Sequence, residues 1–198
     1  ITKVLATTPV IMQLVKKKML DLDHELKQFY PGIKIGDKSK ITIRHLLTHS
    51  SGLPAYIEYY KNKNINSKND IINDIIKNQE LLFLPGSKFI YSDLGMILLM
   101  DIAEIVSGRK FSELVNSWIF KPLEMSRSFF NPSKKIWTDI APTEIDNIYR
   151  KDTIQGIVHD ENAYLMGGIS GHAGVFSTAK EIARYAQMLV DGGIWEGK

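Results

Sequence analysis

The sequence contains no cysteine in its 198 residues. That excludes a disulfide framework, a thiolate nucleophile and thiolate metal ligation, and leaves the cellular compartment open. No apolar run approaches the ~18 residues that a membrane-spanning helix needs. Charge of one sign is also scarce, with a net charge of only +3. The excess is lysine spread along the chain, and the Lys61-Asn62-Lys63-Asn64 patch reads as a solvated loop, not a nucleic-acid stripe. Internal repeats are absent. So are two catalytic signatures. Ser170 sits in Gly168-Ile169-Ser170-Gly171-His172, where His172 replaces the second glycine of a G-x-S-x-G elbow, which makes Ser170 a poor nucleophile candidate. His45 and His49 are four apart, on one face if the segment is helical, but no glutamate follows His45 as in H-E-x-x-H. They therefore read as structural histidines.

What is present suits a folded enzyme-sized unit. Hydrophobic residues make up 44% of the chain, ordinary for a globular protein, and the length supports one domain, or a large part of one, with a real core. The central element is predicted from Phe89-Ile90-Tyr91-Ser92-Asp93-Leu94-Gly95-Met96-Ile97-Leu98-Leu99, which leads into an apolar run ending at Ser107-Gly108. Ser92 or Asp93 is the expected N-cap and Gly108 the expected left-handed residue after the C-terminus. Apolar residues almost all round place this helix in the middle of the domain, with Tyr91 at its mouth.

Val4, Leu5, Thr8, Ile11, Met12, Val15 and Met19 fall at helical spacing, so a helix is expected over residues 4–19 with Lys3 in its first turn. The positive end of the helix dipole should disfavour the ammonium form of Lys3 and suit it to work as a base. Thr42 is read as the cap of a short helix ended by Gly52 and Pro54, Ile71, Ile72, Ile75 and Ile76 as the apolar face of another, and Phe111–Ile119 as a third broken by Pro122. Residues 126–158 read as wrapped loop with short strands. Asp21–Leu26 opens a short helix. Thr178 and Glu181 read as a capping box for a helix over 179–190, closed by Gly192-Gly193. The polar run Val158-His159-Asp160-Glu161-Asn162 is read as loop-fixing hydrogen bonds, since adjacent side chains point in different directions. The glycine-rich stretch Gly167–Gly174 is flexible enough to approach a ligand.

Several segments resemble the serine β-lactamase and penicillin-binding-protein superfamily, in its class C-like and esterase-like branch. Ile41-Thr42-Ile43-Arg44-His45-Leu46-Leu47-Thr48-His49-Ser50-Ser51-Gly52-Leu53-Pro54 is similar to the family's IRHLLTHTSGLP segment, and Tyr91-Ser92-Asp93-Leu94-Gly95 to its YSNLGY segment. Phe120-Lys121-Pro122-Leu123-Glu124-Met125 is similar to IFxPLGM, and Gly174–Tyr185 to GLFSTAxDLARF. The landmarks run in family order. The triplet's third position is Asp93 where the family has Asn, a feature associated with a subgroup resembling penicillin-binding protein 4B.

The resemblance implies a mixed α/β (α+β) β-lactamase/transpeptidase-like fold, of which residues 1–198 form a single domain, mainly its helical region, expected to continue at both ends. It implies acyl transfer on amide, lactam or ester carbonyls through an S-x-x-K pair. The serine is expected immediately before Ile1, and the Lys/His-Thr-Gly box beyond the C-terminal residue, so that residues 1–198 alone are expected to be inactive. Lys3 and Tyr91 are the catalytic candidates; Asp93, Gly171 and His172 are the substrate-binding candidates. Neither a cofactor nor a metal is expected. The implied partner is a small-molecule or peptidoglycan-derived substrate, and the implied location the cell envelope, periplasmic or secreted. Two other readings stay open: a catalytically silent relative that binds peptidoglycan or a protein partner, and a metal-dependent hydrolase using His159, Asp160 and His172.

Overall fold

In the computed structural model, which describes residues 1–196, the chain folds around the helix foreseen at its centre. The first helical segment already runs through Thr2, opens with a π-helical turn, Lys3–Thr7, and continues as α1, Thr8–Lys16. In that turn the Thr8 N–H reaches back to the Lys3 carbonyl, and the Tyr185 hydroxyl donates to the Val4 carbonyl at 2.8 Å. Then follow α2, Ile43–Leu47, α3, Lys68–Lys77, and the long α4, Asp93–Ser107. Helix α5, Phe111–Val115, runs into a second π-helical turn, Asn116–Phe120. After α5 come the strands β1, Phe129–Phe130, β2, Glu144–Asp146, and β3, Asp152–Ile154. The chain ends with α6, Glu161–Leu165, β4, Val175–Phe176, and α7, Ala179–Val190.

Two antiparallel two-stranded sheets accompany the helices: β1 pairs with β4, with Phe129 opposite Phe176, and β2 pairs with β3, with Ile145 opposite Thr153. The fold is thus mixed, helical in the main with small sheets. Helix α4 packs against α1, α2, α3 and α5. Leu94, Ile97, Leu98, Leu99 and Ile102 are fully buried, each worth roughly 1.5–3 kcal/mol relative to exposure. Gly108 takes the left-handed conformation (φ 67°) that ends α4, where a Cβ would be strained.

Some local expectations change in the tertiary setting. Helix α2 stops at Leu47 and His49 lies beyond it with φ 55°, so His45 and His49 do not share a helical face. His45 instead completes the Thr42 cap, its Nδ1 accepting the Thr42 N–H at 3.1 Å. Only half of the Thr178–Glu181 capping box forms. Thr178 Oγ1 accepts the Glu181 N–H at 3.3 Å, but the buried Glu181 carboxylate turns away to accept the Arg127 N–H (2.8 Å) and the Ser128 hydroxyl (2.6 Å). Two orphan donors on the β1 side outcompete the local one.

The loop after α6 is tied to both main helices. Thr7 Oγ1 donates to the Gly171 carbonyl at 2.5 Å, and a Cβ on Gly171 would stand 2.0 Å from the Met96 carbonyl oxygen of α4. Gly171 is therefore where the loop's backbone meets the α4 backbone directly. Gly171→Ala should cost at least about 2 kcal/mol, the scale of overpacking in a closed interior, visible as a lower denaturation midpoint. An unchanged midpoint would mean that loop and helix separate freely.

Candidate active site

The site is built where two helix N-termini meet. Ser92 is the cap of α4: its Oγ accepts the Gly95 N–H at 3.4 Å and donates to the Pro54 carbonyl at 2.6 Å. The segment after α2 braces the rest of the triplet. His49 Nδ1 accepts the Ser92 N–H (3.1 Å), the His49 carbonyl accepts the Ile90 N–H (2.8 Å), and the Ala55 carbonyl accepts the Asp93 N–H (2.8 Å). The first N–H of α4 thus has a backbone partner, and the Asp93 carboxylate is not needed to cap it.

It meets Lys3. The Lys3 ammonium lies 2.8 Å from Asp93 Oδ1, with both side chains largely shielded from water, and 4.6 Å from the centre of the Tyr91 ring. Tyr91 is 56% exposed and stacks on the His49 ring at 4.4 Å. Burial alone would pull the Lys3 pKa down, but Asp93, joined by Tyr91, more than reverses this and raises it above its ordinary value. The helix-dipole expectation is corrected accordingly: Lys3 is held as an ammonium, because a full counter-charge at contact outweighs the fractional charge of a helix end.

Asp160 adjoins the pair. One carboxylate oxygen each from Asp93 and Asp160 and one ring nitrogen from His172 lie within 4.8 Å of one another. Asp160 Oδ1 caps α6 through the Ala163 N–H at 2.7 Å and meets His172 Nε2 at 2.8 Å, while His172 Nδ1 faces Ser170 Oγ at 2.8 Å. Burial works against the Asp160 charge, but His172, the Ala163 N–H and Lys3 together lower its pKa. An ionised Asp160 accepts from His172 Nε2–H, which leaves Nδ1 to accept the Ser170 proton. The order serine, histidine, aspartate looks like a nucleophilic triad, but Ser170 is 0% exposed and cannot meet a substrate. Among the described residues the Lys3 ammonium already supplies positive charge where these carboxylates converge.

The structure brings Lys3, Tyr91 and Asp93 together and places His172 next to them through Asp160. Gly171, next to His172, packs its backbone against α4 and Thr7. The structure does not assemble His159 with Asp160 and His172: His159 Nε2 pairs with Glu144 at the surface, 2.7 Å away. Two further residues join the site: Asp160, which in sequence reads as one of a run of loop-fixing polar residues or as a metal ligand with His159 and His172, and His49, which reads as a structural histidine. A cavity of about 710 Å³ opens beside Asp160 and His172, with Ile1, Thr2, Val175 and Phe176 among its walls.

His49 gives this site an acid sensitivity. Burial, then the nearby Lys3 charge, lower its pKa, against the attraction of Asp93, and protonation would also remove the acceptor of the Ser92 N–H. A histidine with a depressed folded pKa contributes stability above its unfolded value of ~6.5 and loses it as pH falls through the folded value. Melting temperature should therefore drop on going from pH 7 to 5 more in the wild type than in His49→Asn, since asparagine tolerates the positive φ and can accept the same bond. Parallel pH profiles would remove His49 from this role.

Comparison with known proteins places these observations in a wider set. The family model described as Beta-lactamase matches residues 1–196. A Salmonella typhimurium protein provisionally named a D-alanyl-D-alanine carboxypeptidase is 35% identical, over 97% of this chain and 50% of its own length. The chain thus spans about half the length of the curated relatives it matches. Among solved structures, the octameric penicillin-binding protein homologue from Pyrococcus abyssi superposes with a TM-score of 0.75 at 27% identity, over 98% of this chain and 44% of that one. A penicillin-binding protein from Bacillus halodurans superposes with a TM-score of 0.71 at 25% identity, over 96% and 56%.

Proposed function

Because the chain belongs to the beta-lactamase family and has its β-lactamase/transpeptidase fold, we propose that the full-length protein is a serine hydrolase that works through an acyl-enzyme on amide, lactam or ester carbonyls. The observation that carries this reading is the Lys3–Asp93 contact of 2.8 Å with Tyr91 stacked beside it. The nucleophile is placed on the residue immediately before Ile1. The helix is already formed at Thr2, and the Ile1 carbonyl accepts the Leu5 N–H at 3.0 Å, so a residue three before Lys3 shares its face. Residues 1–198 then belong to one domain of the longer protein. The carboxypeptidase name of the relatives favours a D-alanyl-D-alanine peptide as substrate, and we infer from the family resemblance that it is peptidoglycan-derived and met in the cell envelope.

In this mechanism Lys3 and Tyr91 share the removal and return of the serine's proton, with Asp93 orienting Lys3. The reactive form has lost one proton. As the serine oxygen bonds to the carbonyl carbon, its proton passes to Tyr91 or Lys3, and from there to the leaving nitrogen or oxygen. Water repeats the sequence to release the acid. The serine's own backbone N–H, at a helix N-terminus, supplies one donor to the developing oxyanion.

The test is to label full-length protein with a fluorescent penicillin and map the modified residue. The label is expected on the serine before Ile1, and Lys3→Ala should slow acylation by at least ~10²-fold, the usual size of a general acid–base contribution. Asp93→Asn should retain substantial activity, since its oxygen can still accept from Lys3. Wild-type acylation in Lys3→Ala would remove Lys3 from the mechanism, and absence of any acylation would favour a non-catalytic binding protein.

A further inference from the structure

The acyl-transfer reading accounts for Lys3, Tyr91 and Asp93 and leaves unexplained why a second carboxylate stands beside them. Asp160 comes from a separate part of the chain, the turn into α6, and it is fixed with unusual completeness. Its Oδ1 accepts two bonds, from the Ala163 N–H at 2.7 Å and from His172 Nε2 at 2.8 Å. His172 is fixed in turn by Ser170, whose hydroxyl is wholly buried, and by the neighbouring Gly171 backbone, clamped between Thr7 and α4. Oδ2 takes no hydrogen bond among the described residues. A helix cap needs only the Ala163 contact; the buried imidazole and serine behind it serve to aim the carboxylate.

We propose that Asp160 is a positioning residue of the active site, aimed by His172 and Ser170 so that its negative charge, alongside that of Asp93, sets the pH at which the Lys3 group gives up its proton. The inference rests on the acyl-transfer reading of the same site. Asp160 is a few ångströms from Asp93, and its attraction to Lys3 is part of what keeps it ionised. Lys3 meets Asp93 at 2.8 Å and the Tyr91 ring at 4.6 Å, both at the head of α4; His49, from the turn after α2, lies against Tyr91, and Asp160, before α6, lies beside Asp93 with His172 behind it. Of these, Asp93 and Asp160 are the two that carry negative charge near neutral pH. A neighbouring anion favours the ammonium and raises its pKa. Removing the Asp160 charge should therefore free the reactive, deprotonated form at lower pH.

The decisive variant is Asp160→Asn in the full-length protein. Asparagine is isosteric, and its oxygen can still accept from Ala163 and His172, so the cap and the strut survive while the charge is lost. Acylation by a fluorescent penicillin would be followed across pH in the wild type, Asp160→Asn and Ser170→Ala. The rising limb of the rate profile should move to lower pH in Asp160→Asn by about 1 unit, the scale of a nearby charge at a partly buried site, with the plateau within roughly tenfold. Ser170→Ala should stay labelled at the same residue, because Ser170 acts through His172 and not on substrate. An unmoved limb in Asp160→Asn, whatever its plateau, overturns the proposal, as does loss of labelling in a Ser170→Ala protein that melts like the wild type. Failure of the wild type to acylate at any pH would overturn the acyl-transfer reading itself, an outcome distinct from both.

Discussion

The contact between Lys3 and Asp93 is what the rest of the architecture serves. A lysine at the start of a helix is electrostatically misplaced, and an aspartate at the start of another is well placed. Bringing the two helix ends together lets the second correct the first. The arrangement requires the helix that begins before Lys3 and α4 to converge at their N-termini, and the surrounding structure enforces this. Tyr185 holds the Val4 carbonyl, Thr7 holds the Gly171 carbonyl, and the segment 49–55 accepts the N–H groups of Ser92 and Asp93 at the head of α4. Desolvation offsets much of the attraction in a shielded ion pair, so in the proposed mechanism this pair organises proton transfer more than it staples the fold.

Much of the scaffold was legible in the sequence because its causes are local. Ser92 caps α4 and Gly108 ends it by side-chain and φ chemistry that four or five residues determine. The isoleucines at 71, 72, 75 and 76 fix the buried face of α3 by spacing alone. Lys3, Tyr91 and Asp93 were legible by resemblance, and the structure gathers them. The charge state of Lys3 was not. Its dipole environment is written in the neighbouring residues, but its counter-ion is ninety positions away, and the distant partner is the stronger influence. Glu181 fails its local pattern for the same reason, drawn off by Arg127 and Ser128.

Asp160 and Gly171 show two things that a local reading leaves out. Asp160 reads in the sequence as one of a run of loop-fixing polar residues, and neither its cap on α6 nor the imidazole aimed at it from twelve residues on is visible there. Gly171 sits in a run flexible enough to suggest contact with a ligand, yet its missing side chain is required by the carbonyl of Met96. Likewise, His159 and His172 look equivalent around Asp160 in the sequence. One faces Glu144 in solvent and the other is buried against Ser170.

The central claim is that Lys3 and Asp93 act as one unit, and a double-mutant cycle on acylation of the full-length protein tests it most directly. Asp93→Leu, which can neither accept nor donate, and Lys3→Ala should each slow acylation strongly. The double variant should be no slower than Lys3→Ala alone, since removing the ammonium leaves Asp93 with nothing to orient. Effects that multiply in the double variant would show that the two residues contribute independently, and would contradict the account.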